Sequence, residues 1–532
     1  MIEFDPVLVH EWLARAARRH PDKVALVCGR ERWTYGMVDQ SSSQLAAALV
    51  QGGVRRQDRV AVFMDNSAET VISLYGTLKA GAVSVILSGS MKGPKLRHIL
   101  RDSGARVLIA HVSKARTVRE ALAEAGVDCL TVWVGPKTQG QAEAPGDSTD
   151  WQDLLDQGER LQTEVELPRI IDVDLAALIY TSGSTGQPKG VMSTHHNMVS
   201  AARSIIQYIG NTPEDVILDV LPLSFDYGLY QVLMTFMFGG TVVLERSFLY
   251  LHQVLGRISE EKVTGLPVVP TVMAMLLGMD DIGKYDLSTV RYVTNTGAAL
   301  PSEHIRRFNE LFPHVTVFSM FGLTECKRVC YLPPNELGRR TGSVGKAIPN
   351  CEVFVVDPDG NEVEPDQVGE LVVRGSNVMQ GYWNDAVLTG RAYREGRYPA
   401  DKRLFSGDYF KRDADGFLYF QGRRDDMIKS RGERISAKEV EDVLHRLEGV
   451  KEAAVVGVPD DVLGQAIKAF VVCSSGVAVT AETVLRHCTA CLENFAVPKH
   501  VEFVADLPKT ANGKIDKNRL KTDGGVAATV GR

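Results

Sequence analysis

Apolar residues along this chain follow two alternating patterns. Short β-branched runs such as KVALVC (23–28), RVAVFM (59–64), RVLIAH (106–111) and LTVWVG (130–135) predict strands. TVISLYGTLKAG (70–81) instead places apolar residues at helical spacing, with Gly81 as a plausible C-cap. Strands alternating with helices predict parallel sheets with crossover helices. LAALIY (175–180) is a continuous apolar run that reads as a buried strand, and QGQAEAPGDSTDW (139–151) reads as a surface loop.

From Cys351 the pattern changes. EVFVVDPDGNEV (352–363) and RDADGFLYFQGRRDD (412–426) read as hairpins that turn at Asp-Gly. Beyond Asp426 comes a compact α+β segment: RISAKEVEDVLHRLEGV is helical, EAAVVGVPD and KAFVVC are strands, and AETVLRHCTACLENF is a helix. A boundary near Asp425 divides the chain into a unit of residues 1–424 and a unit of residues 425–532, ending in a frayed tail.

Composition adds exclusions. The 532 residues leave room for several domains and, at 44% hydrophobic and 24% charged, for a large core. A net charge of −6 with both signs interspersed argues against nucleic acid or an acidic membrane as the main partner. Eight cysteines are too sparse for a disulfide scaffold, and Cys488 and Cys491 form a lone C-x-x-C without a second ligand pair. The N-terminus lacks the basic n-region of a signal peptide, and the longest apolar run, residues 232–244, is broken by two glycines and too short for a membrane span. A cytoplasmic enzyme is the expectation.

The chemistry concentrates in YTSGSTGQPKGV (180–191). Thr181, Ser182, Ser184 and Thr185 supply hydroxyls, Gly183 and Gly186 free the backbone to curl, and Lys189 supplies charge, all suited to phosphate. A Walker P-loop is excluded twice. Gly190 stands where that loop needs Ser or Thr, and Pro188 removes an amide just before the lysine.

This stretch resembles the signature loop of the adenylate-forming (AMP-binding) superfamily: acyl-CoA synthetases, amino-acid-activating domains and luciferases. The resemblance runs in the family's order over nearly the whole chain, from WTYGMVDQ (33–40) and LKAGAV (78–83) to LPKTANGKIDK (507–517). It implies an α/β fold: a large N-terminal domain of layered sheets and crossover helices with a β-barrel-like part, and a small mobile α+β C-terminal domain. It also implies a two-step reaction. A carboxylate attacks the α-phosphate of ATP, releasing pyrophosphate, and a thiol then displaces AMP from the acyl-adenylate.

The site residues carry over by motif. The glycine-rich loop would hold the outer phosphates through Thr181, Ser182, Gly183, Ser184, Thr185, Gly186 and Lys189. In MFGLTE (320–325), Phe321 would stack on adenine, Thr324 would contact the α-phosphate and Glu325 would ligate Mg2+. Gly297, Ala298 and Ala299 in NTGAAL resemble the adenine loop, and Asp408 and Arg423 would hold the ribose. Lys514 in TANGKIDK would bridge the substrate carboxylate and α-phosphate, Asp425 matches the domain hinge, and Gly432 would line the thiol tunnel. The chain shows no carrier module after Lys514, so the acceptor would be CoA or the phosphopantetheine of a separate carrier protein.

The acid is less determined. LPLSFDYGLYQ (221–231) places Phe225-Asp226 where plain acyl-CoA synthetases often carry an aromatic-His pair. A carboxylate in an apolar pocket needs a cationic partner. A substrate ammonium would supply it, as in amino-acid-activating enzymes, so an amino or β-amino acid is the leading expectation. A partner within the protein and an ordinary acyl substrate is the alternative. Lys327 and Arg328 could grip a second substrate carboxylate, pair with Asp226, or face solvent. Thr294, Thr296 and Met320 are further pocket candidates. Two rivals remain. A luciferase-like oxygenase shares these motifs, and a non-catalytic nucleotide-binding protein would not need Lys189, Glu325 and Lys514 together.

Overall fold

The run LAALIY forms part of the strand Leu175–Ser182, which lies near one edge of a seven-stranded sheet. In spatial order that sheet runs Ser148–Asp150, Leu130–Val134, Val107–His111, Arg59–Met64, Val83–Ser88, Leu175–Ser182 and Pro188–Thr194. Every neighbouring pair is parallel except the last, a hairpin. The computed structural model describes residues 5–136, 148–182, 187–248, 250–279, 281–297, 300–398, 401–423, 428–430, 433–460, 464–474, 479–492, 494, 496–510 and 515–523.

A second sheet of 14 strands has a parallel part built from Val24–Cys28, Thr241–Leu244, Val216–Asp219, Gly265–Val268, Tyr292–Asn295 and Thr316–Phe321. It continues antiparallel through Cys330–Leu332, Ser343–Ala347, Leu418–Arg423, Lys402–Arg412, Val368–Gly375 and Cys351–Val356. These antiparallel strands are the part expected to be barrel-like, and hydrogen bonds join them directly to the parallel strands. The Asp-Gly turn at residues 415–416 connects paired strands as expected. The earlier one does not close a simple hairpin: Val356 meets Glu362 in a single bridge, and the full partner of Cys351–Val356 is Val368–Gly375.

Helices fill the space beside the sheets. Ala68–Lys79 is buried along almost its whole length, which explains why its apolar residues circle the axis. Ala80 caps it, and Gly81 follows with a left-handed φ of +72°, the conformation that stops the helix. Asp226–Phe238 is also buried nearly throughout, and its Phe236 stacks on Tyr75 with ring centroids 5.4 Å apart. The segment expected to be a loop at 139–151 contains the strand Ser148–Asp150 and the first residue of the helix Trp151–Leu161.

The smaller C-terminal domain is α+β. Its sheet orders Glu433–Ile435, Ile428–Ser430, Gly464–Cys473 and Val450–Asp460, with His500–Phe503 parallel to Gly464–Cys473. The period of two divides Val450–Asp460 between two cores. Ala453 and Val455 pack with the helices Ala437–Leu444 and Ala481–Cys491, while Ala454 and Val456 pack with Leu507 and Leu520. Cys488 is buried in the first core, Cys491 is exposed, and both are free thiols. No helix among the described residues is long and apolar enough to cross a membrane.

Candidate active site

The glycine-rich stretch is the connection of the hairpin that pairs Leu175–Ser182 with Pro188–Thr194. Gly183, Ser184, Thr185 and Gly186 lie outside the described residues. Their flanks show why Gly190 stands where a P-loop would have a hydroxyl. It sits opposite Tyr180, and a Cβ at Gly190 would come within 3.0 Å of the Tyr180 ring. Tyr180 is in turn fixed by a 2.5 Å hydrogen bond from its hydroxyl to Asp102.

The edge strand Pro188–Thr194 is extended by residues 380–383. Met192 N donates to Gly381 O at 2.9 Å, and Trp383 N donates to Gly190 O at 2.7 Å. This brings Tyr382 beside Val191 and Lys189. The Lys189 ammonium lies 5.9 Å from the Tyr382 ring centroid, and the Tyr382 hydroxyl donates to Glu325 Oε1 at 2.7 Å. Lys189, Tyr382 and Glu325, from three distant stretches of chain, therefore meet in one place. Among the described residues no group of three or more His, Cys, Asp or Glu side chains could hold a metal alone. A single carboxylate at Glu325 fits Mg2+, which takes most of its ligands from phosphates and water.

Two nucleotide candidates, Gly297 and Phe321, lie at the carboxyl ends of Tyr292–Asn295 and Thr316–Phe321, where ligands of such sheets bind. Gly297 takes a left-handed φ of +87° just past the first strand; Ala298 and Ala299 lie outside the described residues. The half-buried Phe321 ring meets Phe410 and Phe420 at 5.0 and 5.9 Å. Asp408 and Arg423 face each other across neighbouring strands, and Arg423 Nε donates to Asp408 Oδ1 at 3.1 Å. The Asp408 side chain is buried at 3% exposure, so this pair presents Arg423 as its outer member.

Thr324 and Glu325 belong to a tight loop that also decides where Lys327 and Arg328 go. Its ends are joined by Val329 N donating to Phe321 O at 2.9 Å and by the pairing of Phe321 with Cys330. Inside it the chain folds over Gly322, where a Cβ would come within 2.1 Å of Lys327 O. Lys327 itself adopts a left-handed φ of +63°. Both cations are driven inward and are 1% exposed.

Lys327 Nζ donates to the carbonyl of Asp226 at 2.5 Å and to its Oδ2 at 3.2 Å. Burial is the dominant influence and pushes the Lys327 ammonium down to about 7, against the attraction of Asp226. Asp226, first residue of the helix Asp226–Phe238, thus has a cationic partner within the protein. This is the internal partner that the alternative expectation described, so Asp226 needs no substrate ammonium to balance it. Nearby Asp219 is fully buried, and burial drives its carboxyl well above the usual range.

Arg328 lines a narrow cavity together with Thr294, Met320 and Tyr227. Three of the predicted acid-binding residues, Thr294, Met320 and Arg328, therefore share one wall. Phe225, which caps the helix, and Asp226 and Thr296 do not line it; the Thr296 hydroxyl is buried without a hydrogen-bond partner. Tyr227, overlooked in the sequence, bonds through its hydroxyl to Thr294 O and Oγ1 at 2.7 and 2.8 Å. The available signal was spacing: Tyr227, Gln231 and Met234 fall on one helical face, and all line the cavity. Tyr382 was also overlooked, because its role depends on pairing with a strand almost 200 residues earlier. Lys514, Asp425 and Gly432 lie outside the described residues.

Comparison with known proteins agrees with this arrangement. The family model described as "AMP-binding enzyme" matches residues 13–383, and the "AMP-binding enzyme C-terminal domain" matches residues 439–514. A 3-[(3aS,4S,7aS)-7a-methyl-1,5-dioxo-octahydro-1H-inden-4-yl]propanoyl:CoA ligase from Rhodococcus jostii (strain RHA1) is 31% identical, covering 97% of this chain and 99% of its own. A feruloyl-CoA synthase from Amycolatopsis sp. is 34% identical, covering 96% and 98%. Among solved structures, an anthranilate CoA ligase in complex with anthranoyl-AMP superposes with a TM-score of 0.87 at 28% identity, covering 97% and 98%. Ordered motifs, two matched domains and relatives aligned end to end place the chain in the AMP-binding enzyme family, as an AMP-forming acid–thiol ligase.

Proposed function

We propose that this protein is an acyl-CoA ligase that adenylates an amine-free carboxylic acid with ATP and passes the acyl group to CoA. The observation that carries this reading is the Lys327–Asp226 pair. It uses the carboxylate that would otherwise bind an ammonium, beside a cavity whose wall carries a further cation, Arg328. An amino-acid substrate would place a third positive charge there. The relatives described above are CoA ligases, which favours CoA over a carrier protein as acceptor.

In this reading the acid lies in the cavity lined by Thr294, Met320 and Tyr227, with its carboxylate toward the loop that holds Thr324 and Glu325. Lys189 neutralises the departing pyrophosphate. Tyr382 orients Glu325, which would hold Mg2+; the ion would supply charge neutralisation at the phosphates. Phe321 and Gly297 take the adenine, and Asp408 and Arg423 the ribose. Lys514, carried by the domain of residues 425–532, bridges the carboxylate and α-phosphate once that domain closes about Asp425; Gly432 then lines the thiol path. Catalysis here is positioning and charge stabilisation, with no covalent enzyme intermediate.

The test is acid-dependent release of AMP and pyrophosphate from ATP, with thioester formed only when CoA is present. A panel of amine-free acids, α-amino acids and β-amino acids decides the acid class. Turnover confined to amino acids would overturn the amine-free reading, and thioester formed only on a carrier protein bearing a free phosphopantetheine thiol would overturn CoA.

A further inference from the structure

We infer that the acid activated by this enzyme carries a second carboxylate, held inside the cavity by Arg328 while the first faces ATP. The inference rests on the ligase reading above and names its substrate class.

The cavity has one unmatched charge. Its polar groups are largely satisfied by each other: Tyr227 bonds to Thr294, Gln231 Nε2 donates to Tyr227 O at 3.0 Å, and Asn211 Nδ2 donates to Tyr292 Oη at 2.7 Å. Much of the remaining wall, including Ile205, Ile209 and Met234, is apolar. Arg328 differs. It is 1% exposed, its Nε has no hydrogen-bond partner, and among the described residues it forms no ion pair. Its guanidinium rests over the Tyr227 ring, 5.2 Å from the centroid, and beside the Tyr208 hydroxyl. The Thr235 hydroxyl on the same wall also lacks a partner.

Charge points the same way. Lys327 approaches the same Tyr227 ring, 5.6 Å from its centroid. Of the two carboxyls nearest this pair of cations, Asp226 is committed to Lys327 and Asp219 is driven by burial toward its neutral form. The wall therefore carries an excess of positive charge in a low-dielectric setting, where an uncompensated guanidinium is costly and an anion is strongly favoured. The planar fork of arginine matches a carboxylate in a way an apolar chain end cannot exploit. An ammonium would meet repulsion from Arg328 with no free carboxylate to offset it.

The experiment compares kcat/KM for AMP release, with ATP and CoA, between length-matched acids: hexanoate against adipate, octanoate against suberate, and benzoate against isophthalate. The wild type should favour a diacid over its monoacid by about 10- to 100-fold, the worth of a charge-assisted hydrogen bond. Arg328→Met should abolish or invert that ratio, and Arg328→Lys should retain part of it. A wild type that prefers the monoacid in every pair, or an unchanged ratio in Arg328→Met, overturns the inference and leaves the ligase reading standing. Calorimetric binding of the same diacids without ATP separates the two readings: diacid binding lost in Arg328→Met supports the inference even if no acid yields AMP, a result that overturns the ligase reading alone. Should Arg328→Met fail to fold, the wild-type ratios and Arg328→Lys carry the test.

Discussion

Replacing Asp226 with asparagine separates its internal role from a substrate-binding one. The change keeps size and hydrogen-bonding capacity but removes the negative charge 3.2 Å from the Lys327 ammonium, whose side chain is fully buried. A buried charge that loses its partner does not stay charged at any cost. It can release its proton, which caps the destabilisation. Lys327 titrates at about 7 in the folded protein and near its ordinary 10.5 when unfolded. The folded state therefore holds fewer protons between those values, and this group's contribution to stability rises with pH across that window. Without Asp226 the folded value drops further and the window extends below 7. The extra cost in the variant is then at most RT ln(1 + 10^(7 − pH)), about 0.2 kcal/mol near pH 7.5 and about 1.4 kcal/mol near pH 6.

The assay is urea unfolding followed by tryptophan fluorescence for wild type, Asp226→Asn, Lys327→Met and the double variant, each near pH 6 and pH 7.5. Asp226→Asn should lose stability relative to wild type only as the pH falls. Lys327→Met strands the Asp226 carboxylate, whose side chain is 22% exposed at a helix N-terminus, so it should cost about 1–3 kcal/mol. The double variant should be more stable than Lys327→Met and lack the pH-dependent gap. Parallel pH profiles for wild type and Asp226→Asn would refute the internal pairing, above all if that variant lost turnover of amino acids while remaining fully stable.

Other outcomes follow from the same structure. Lys514→Ala should reduce adenylation by ~10²–10³ yet spare thioester formation from supplied acyl-adenylate, as expected for one lost charge-stabilising donor; equal loss in both half-reactions would sink the two-step assignment. Tyr382→Phe removes the 2.7 Å hydrogen bond to Glu325 and should raise the Mg2+ concentration needed for half-maximal rate by about 10-fold, as outer-shell partners of metal ligands do; an unchanged Mg2+ titration would detach Tyr382 from that site. Burial holds His10 down to about 3 and His195 to about 4, and His195 Nδ1 accepts a 3.1 Å hydrogen bond from Val9 N. Both values lie below the unfolded 6.5, so their contribution is complete above that pH and is lost as pH falls toward 4, by about 4 kcal/mol together near pH 5. His10→Leu should flatten the acid limb of the unfolding curve by about half, and an unaltered limb would show that other groups control it.

The two halves of the site differ in how much of them shows in the sequence, and the reason is physical. In the proposed function phosphate and adenine would be held largely by backbone and short polar side chains, so YTSGSTGQPKGV and NTGAAL carry that chemistry within a dozen residues. Strands such as Arg59–Met64 and Leu175–Ser182 were equally plain, because a buried parallel strand is apolar on both faces. The acid cavity is not local. Tyr227, Thr294, Met320 and Arg328 come from separate stretches of chain, and none of them marks a pocket alone. The fate of Lys327 and Arg328 was the hardest part to foresee. Two adjacent cations ordinarily face water. Here the backbone turned over Gly322, at a lysine with φ of +63°, sends both inward. One trace of this was available in TECKRVCY: Cys326, Val329 and Cys330, which flank the cations, are all fully buried. A charged pair set among residues bound for the core has to find counter-charges there. Asp226 serves Lys327, and a substrate carboxylate would complete the set at Arg328.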